Sequence, residues 1–187
     1  MTGKNNQLPE LLNEFFTSYV QQYQKKYQHL PLVEHDEQWP SPCLKGKHSV
    51  DGYDYWQPNA IEDSIDFINV EQALELTLHQ DIKTFFTEFY SDVIDAEHEQ
   101  GKLQLLFAWS KEDFERLQQN LIGHILTKRR LKQPETVFFA VTDQEDFILS
   151  VENNTGAVWV EQVGKVPHIK LADSLAEFIQ QLNVVLP

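Results

Sequence analysis

The fold class is decided by residues 136–163, which read TVFFAVTDQEDFILSVENNTGAVWVEQV. This stretch contains three runs rich in β-branched and aromatic residues, at 136–142, 147–152 and 157–163. Two polar turns, 143–146 and 153–156, join the runs. Short polar turns between such runs are typical of strands that pair with their sequence neighbours, so we predict an antiparallel meander.

Helical patterns flank the meander on both sides. Residues 8–27 carry apolar side chains at three- and four-residue steps, which predicts an amphipathic helix that ends before Pro31. Ser110, with Asp113 three residues later, predicts the start of a long helix. The box Ser174–Glu177 predicts the start of a final helix in the same way.

The long helix is expected to have an apolar stripe and a basic end. Lys128, Arg129 and Arg130 fall in its last turn, where positive side chains suit the negative end of the helix dipole. Gly123 lies in mid-helix, where glycine costs about 1 kcal/mol relative to alanine, so we expect a close contact to compensate. The predicted stripe consists of Phe114, Leu117, Leu121, Ile125 and Leu126.

Weaker patterns account for the rest of the chain. They predict an extended linker to about residue 45, a strand at 52–56, helices at about 69–78 and 81–90, and a hairpin within 91–109. The result is an α+β fold in a single domain of residues 1–187. We expect a curved sheet rich in antiparallel pairs, with helices at both ends and one long helix in the middle.

The charge is strongly negative and unevenly distributed. The formal net charge is −14, and residues 51–100 hold thirteen acids against a single base, Lys83, while residues 1–50 are neutral. Because this charge repels phosphates and anionic headgroups, we expect no nucleic-acid binding and no direct lipid binding. Aromatic residues interleaved with the acids favour a folded face that binds a basic protein. The alternative is a solvated face that maintains solubility.

Catalytic motifs are absent from the sequence. It contains no G-x-S-x-G, G-x-x-x-x-G-K-[ST], G-x-G-x-x-G or H-E-x-x-H string. The histidines around residues 29–36 and at His98 lack the spacing of metal ligands on a helix face. Cys43 has no assigned base and is expected to be a buried structural thiol. We therefore expect no enzyme activity, no metal and no cofactor. A metal-dependent hydrolase would require a stoichiometric metal in the purified protein.

Several strings, in a fixed order from residue 40 onward, resemble the Syd family of SecY-interacting proteins, within the SUKH superfamily. The strings are Pro40-Ser41-Pro42-Cys43, Tyr55-Trp56-Gln57-Pro58, Trp109-Ser110 with Asp113-Phe114, Asn120-Leu121-Ile122-Gly123-His124 with Arg130-Leu131-Lys132, and Leu175-Ala176-Glu177-Phe178 with Gln181-Leu182. The resemblance implies an α+β protein that binds basic cytoplasmic loops of SecY, the protein-translocation channel, through a concave acidic surface. It also implies a regulator, sequestering factor or quality-control factor for uncomplexed SecY.

The candidate binding residues are chosen by charge. Cytoplasmic loops of membrane proteins are rich in Lys and Arg, so an acidic surface suits them. The chain lacks an apolar N-terminal stretch and an apolar span, so we expect a cytoplasmic protein held loosely at the inner membrane by SecY. The alternative function is an immunity-type acidic protein that neutralises a basic nuclease toxin. The predicted partner-binding residues are Asp51, Asp54, Glu62, Asp63, Asp66, Glu71, Glu75, Asp92 and Asp95.

Overall fold

A seven-stranded antiparallel sheet forms the centre of the structure, a computed structural model that describes residues 7–187 and, at positions 47–50, the backbone alone. A three-stranded and a two-stranded sheet accompany it. In chain order the described elements are α1 (Leu8–Tyr27), β1 (Leu32–Glu34), β2 (Leu44–Val50), β3 (Tyr53–Trp56), β4 (Asn59–Ala60), α2 (Ile68–Leu74), α3 (Gln80–Thr87), β5 (Phe89–Tyr90), β6 (Ile94–His98), β7 (Gly101–Leu105), α4 (Lys111–Arg130), β8 (Thr136–Thr142), β9 (Phe147–Glu152), β10 (Val158–Gln162), β11 (Ile169–Ala172), α5 (Leu175–Gln180) and β12 (Asn183–Val184).

The predicted meander lies in the middle of the large sheet. The strand order is β11-β10-β9-β8-β7-β6-β12, and each sequential pair from β6 to β11 is antiparallel. Thr136 lies opposite Glu152, and Trp159 lies opposite Ser150. The sheet curls into a half-barrel. The α+β class and the curved antiparallel sheet are therefore confirmed.

Two helices, α4 and α5, begin where their capping residues predict. The Ser110 hydroxyl accepts a hydrogen bond from the Asp113 amide at 3.3 Å, and the Ser174 hydroxyl accepts one from the Glu177 amide at 3.1 Å. These hydroxyls bind first-turn amides that have no carbonyl partner within the helix, so they fix the helix starts. The helix predicted at 69–78 is shorter than expected. It ends at Leu74, because Glu75 adopts the left-handed conformation with φ of 48°.

The segment predicted to be a linker contains β1 and the start of β2, both strands of the small sheet. In this sheet β3 is central, and β1 and β2 pair with it on either side. Val33 lies opposite Asp54, and Leu44 lies opposite Trp56. The linker prediction failed because these strands are stabilised by pairing with β3, which the local pattern does not reveal.

Lys128 lies in the last turn of α4, as predicted, but its side chain is buried. It is 1% exposed, and its ammonium group donates to Glu161 Oε1 at 2.8 Å and to the Lys165 carbonyl at 2.9 Å. Glu161 is itself fully buried, and its other oxygen accepts from the Thr136 and Ser150 hydroxyls. This ion pair joins the end of α4 to the underlying strands β8, β9 and β10.

Two further expectations for α4 are wrong. Leu126 is 51% exposed and does not belong to the apolar stripe. A Cβ built at Gly123 meets nothing within 4 Å, so no close contact explains the glycine. The buried positions Leu121, Ile125 and Lys128 define the inner face of α4. Gly123 and Leu126 lie on its exposed side.

Aromatic residues join the helices to the inner face of the large sheet. The Phe85 ring on α3 stacks on Phe107 at 4.7 Å and meets Phe139 of β8 at 5.5 Å. Phe178 of α5 contacts Phe139 at 5.6 Å, and Phe16 of α1 contacts Phe107 at 5.0 Å. These contacts place α1, α3 and α5 around one continuous core.

Candidate partner-binding surface

Trp56 and Trp109 bring distant parts of the chain together. Both are buried, and their rings meet edge to face with 5.8 Å between centroids. The Trp109 amide donates to Asp113 Oδ2 at 2.8 Å, and its carbonyl accepts from the Ser41 hydroxyl. Its indole N–H donates to the Trp39 carbonyl at 3.2 Å. We call this arrangement the Trp109 junction.

Cys43 belongs to the same junction. Its amide donates to the Ser41 hydroxyl at 3.0 Å, and its carbonyl accepts from the Gln57 amide at 3.1 Å. Three of the strings that resemble the Syd family, 40–43, 55–58 and 109–114, therefore meet in space. The Cys43 side chain is fully buried, and burial raises the pKa of its thiol to about 11. The thiol is thus protonated at neutral pH, and the predicted burial of Cys43 is confirmed.

An open cavity of about 360 Å³ lies against the Trp109 junction. Its walls combine two indoles, two aliphatic side chains and three carboxylates. We call it the tryptophan–carboxylate cavity. It is lined by Val33, Glu34, His35, Asp36, Trp39, Leu44, Asp54 and Trp109.

The carboxylates of this cavity differ in their partners. Asp54 lies 2.7 Å from His35 Nδ1, and this hydrogen bond raises the pKa of the histidine. Asp36 Oδ1 accepts from the Gln38 amide at 2.8 Å. Within the described part of the chain, the Glu34 carboxylate has no hydrogen bond or ion pair. The cavity is therefore negatively charged, and Glu34 has free acceptor capacity.

Trp39 already contacts a cation from α4. The Arg116 guanidinium carbon lies 4.2 Å from the Trp39 ring centroid, a distance typical of a cation–π interaction. Trp39 is 37% exposed, and Arg116 is not part of the cavity wall. The Trp39 indole, which lines the cavity, is therefore partly exposed, and its ring already packs against one guanidinium.

A second group of carboxylates lies between α1 and the start of β6. Burial raises the pKa of Tyr19, and the nearby charges of Asp92 and Asp95 raise it further. Burial also raises the pKa of Asp92, and Asp113 adds to this effect. Because Asp113 binds the Trp109 amide, this group borders the Trp109 junction.

The remaining predicted residues lie outside these two groups. Some of their carboxylates are exposed to a partner, and one is already paired within the chain. Asp51 is exposed in the β2–β3 turn, and Glu75 is exposed at the end of α2. Glu71 Oε1 accepts from Lys83 Nζ at 3.1 Å and from the Leu78 amide at 2.9 Å, so its charge is already compensated. The other three occupy the exposed loop before α2: Glu62, Asp63 and Asp66. The structure thus distributes the nine predicted carboxylates over five places.

Sequence reasoning missed three acidic residues at this surface. Glu34 and Asp36 line the cavity, and Asp113 holds Trp109. Counting charge over residues 1–50 hid the first two, because that segment is neutral as a whole. A shorter window would have found three acids among the four residues of 34–37.

The described residues give no sign of a metal centre. Among residues 7–187, no group of three or more His, Cys, Asp or Glu side chains is arranged to hold an ion. His98 is buried, with Nε2 lying 2.8 Å from Gln181 Oε1 and Nδ1 accepting from the Gln100 amide. No helix in the described part of the chain is both long and apolar enough to cross a membrane.

Fold and site together define an α+β protein with a curled antiparallel sheet and an acidic, tryptophan-lined surface cavity. The chain belongs to the Syd family, because the model of that family, described as Syd protein (SUKH-2), matches residues 9–184. It is similar to Protein Syd of Colwellia psychrerythraea, with 56% identity over 192 residues that cover 98% of this chain and 96% of the relative. Protein Syd of Pseudoalteromonas atlantica is 45% identical over 185 residues, covering 98% and 97%. Protein Syd of Shewanella denitrificans is 45% identical over 174 residues, covering 92% and 79%. The resemblance found in the strings is confirmed.

Proposed function

We propose that this chain binds basic cytoplasmic loops of SecY through the acidic surface around the Trp109 junction. It acts there as a regulator, sequestering factor or quality-control factor for uncomplexed SecY. One observation carries the proposal: three of the strings that resemble the Syd family build a junction against which an acidic, aromatic cavity opens. A surface of this chemistry suits a basic protein partner.

The charge of the partner supports this choice. Cytoplasmic loops of membrane proteins carry an excess of Lys and Arg. Carboxylates held near one another, such as Asp92 and Asp113, raise each other's energy, and a basic loop relieves that repulsion. The attraction is screened over about 8 Å at physiological ionic strength, so it acts mainly on the association rate.

Binding to SecY also accounts for location. A chain without a membrane-spanning helix among its described residues, and with a net charge of −14, gains its attachment to the inner membrane from a protein receptor. It would then be a peripheral protein on the cytoplasmic side, with no need for lipid or nucleic-acid contacts. The immunity-type alternative gains no support from the relatives compared above, each of which is named Protein Syd.

Vesicle flotation tests the proposal. We expect the protein to float with vesicles that contain SecY and not with protein-free anionic vesicles, and we expect binding to fall steeply as salt rises. Equal flotation with both vesicles contradicts SecY as the receptor. Recovery of a soluble basic nuclease from cytosol, without recovery of SecY from membranes, would favour the alternative.

Charge reversals locate the binding face. We expect variants at the cavity to weaken SecY binding most, with unchanged melting temperatures. Equal losses in all variants would show that only the global charge matters. Three double variants with the same change in charge serve this purpose: Glu34→Lys/Asp36→Lys at the cavity, Glu62→Lys/Asp63→Lys before α2, and Asp143→Lys/Glu145→Lys in the exposed β8–β9 turn as the matched control.

A further inference from the structure

We propose that the tryptophan–carboxylate cavity is the anchor site for one arginine side chain of the basic partner. In this arrangement the guanidinium stacks on the Trp39 indole and pairs with the Glu34 carboxylate. The inference rests on the proposed function, since it specifies which side chain of a basic partner the surface recognises. The net negative charge of the chain does not indicate which side chain of a partner binds or where it binds. The proposal specifies both.

The size and lining of the cavity suit a single side chain. Its volume of about 360 Å³ is at the lower end of the roughly 300–1,000 Å³ of small-molecule sites. Val33 and Leu44 contribute apolar wall for the aliphatic part of a long side chain. The Trp39 indole, 37% exposed, offers a flat face, and the carboxylates supply a few polar contacts that set orientation.

The distribution of hydrogen bonds identifies Glu34 as the main acceptor. Asp54 is engaged by His35, and Asp36 by the Gln38 amide. Glu34 has no partner among the described residues, so its two oxygens can accept a bidentate contact. The site is open to solvent, and the charged group therefore keeps part of its hydration when it binds.

Arginine fits this cavity better than lysine. Its guanidinium is planar, stacks on aromatic faces and matches the two oxygens of a carboxylate. The contact between Arg116 and Trp39 at 4.2 Å shows that this indole accepts a guanidinium within the chain itself. An arginine of the partner would stack its guanidinium on the Trp39 indole in the same way.

Trp109 gives the cavity one wall that is fixed by hydrogen bonds. Trp109 is held through its amide, its carbonyl and its indole N–H, by Asp113, Ser41 and the Trp39 carbonyl. Side chains locked in this way lose little freedom on binding, which favours a preformed anchor pocket.

A small-molecule titration tests the cavity without SecY. The probes are N-acetyl-arginine amide and, as the uncharged control of the same shape, N-acetyl-citrulline amide. We expect saturable changes in the indole N–H resonances of Trp39 and Trp109 with the arginine probe alone, and none at Trp159. Equal changes with both probes, or an equal change at Trp159, overturn the anchor site. Glu34→Gln should weaken the arginine probe, and Glu145→Gln, an exposed carboxylate of the β8–β9 turn outside the cavity, should not.

The same variants are then measured on SecY vesicles. We expect about fivefold weaker binding for Glu34→Gln and about tenfold for Glu34→Gln/Trp39→Leu, with Glu145→Gln equal to the unaltered protein. Normal binding by both cavity variants overturns the anchor site and leaves the SecY proposal intact. If the unaltered protein does not bind SecY but the arginine titration succeeds, the proposed function fails and the arginine site stands. Thermal melts identify any unfolded variant, and Glu34→Gln carries the test if Trp39→Leu does not fold.

Discussion

Replacing Lys128 by methionine removes the ammonium group that contacts Glu161 beneath α4. Two interactions are lost, the 2.8 Å contact with Glu161 Oε1 and the 2.9 Å hydrogen bond to the Lys165 carbonyl. The Thr136 and Ser150 hydroxyls still donate to the other carboxylate oxygen. Because methionine is close to lysine in shape, the substitution changes charge much more than packing.

The size of the effect follows from burial. Lys128 and Glu161 are 1% and 0% exposed, so water cannot replace the lost ammonium group. Breaking a buried pair by removing one partner costs about 3–5 kcal/mol. A chain of this size loses about 2–4 °C of melting temperature per kcal/mol, so Lys128→Met should melt about 6–20 °C lower.

Urea unfolding near neutral pH measures the change. We expect a lower midpoint for Lys128→Met with an unchanged m-value, since the folded state still buries the same surface. The double variant Lys128→Met/Glu161→Gln removes both charges and keeps an acceptor for Thr136 and Ser150. It should recover most of the lost free energy of unfolding, because no unpaired charge stays buried.

Two results would refute this reasoning. A Lys128→Met variant within about 1 kcal/mol of the unaltered protein would show that the pair contributes little. A double variant as unstable as the sum of its two single substitutions would show that the side chains are not coupled.

Three further predictions concern stability. Gly123→Ala should raise the free energy of unfolding by about 1 kcal/mol, because an added Cβ meets nothing within 4 Å; a lower melting temperature would contradict this. Gly156→Ala should destabilise by about 1–3 kcal/mol, since φ is +78° and the Cβ would lie 2.5 Å from the His79 ring; an unchanged urea midpoint would contradict this. Burial lowers the pKa of His124, so the unfolded chain takes up its proton first as pH falls below about 6.5, and stability decreases. His124→Gln should lose less stability than the unaltered protein between neutral pH and pH of about 5, as measured by urea unfolding, and identical pH profiles would contradict this.

Features of the fold with local causes could be predicted from the sequence. The meander follows from polar turns between β-rich runs, and the helix starts follow from Ser110 and Ser174, whose hydroxyls bind amides three residues away. The small sheet could not be predicted, because β1 and β2 depend on pairing with β3. Lys128 lies in the last turn of α4 as predicted, but its burial could not be predicted. A lysine in a last helical turn usually faces solvent, and its partner lies 33 residues further along the chain.

The sequence predicts an acidic candidate site, but it does not indicate which acidic residues lie together there. The acidic segment contains Asp54, which lines the cavity, and Asp92, which lies close enough to Asp113 to feel its charge. Glu34 and Asp36 escaped because balanced charges elsewhere in residues 1–50 concealed them. Glu71 was selected by charge, but its contact with Lys83 depends on the packing of α2 against α3, which the sequence does not show.

The Trp109 junction sets a time at which the cavity can first exist during synthesis. Ser41 and Trp109 are 68 positions apart, so the wall cannot assemble until the ribosome has made all the intervening chain. At about 5–20 residues per second, this takes roughly 3–14 s after residue 41 is added. During that interval the nascent protein has acidic side chains but no formed pocket. Its capacity to engage a basic partner should therefore appear late in translation and abruptly.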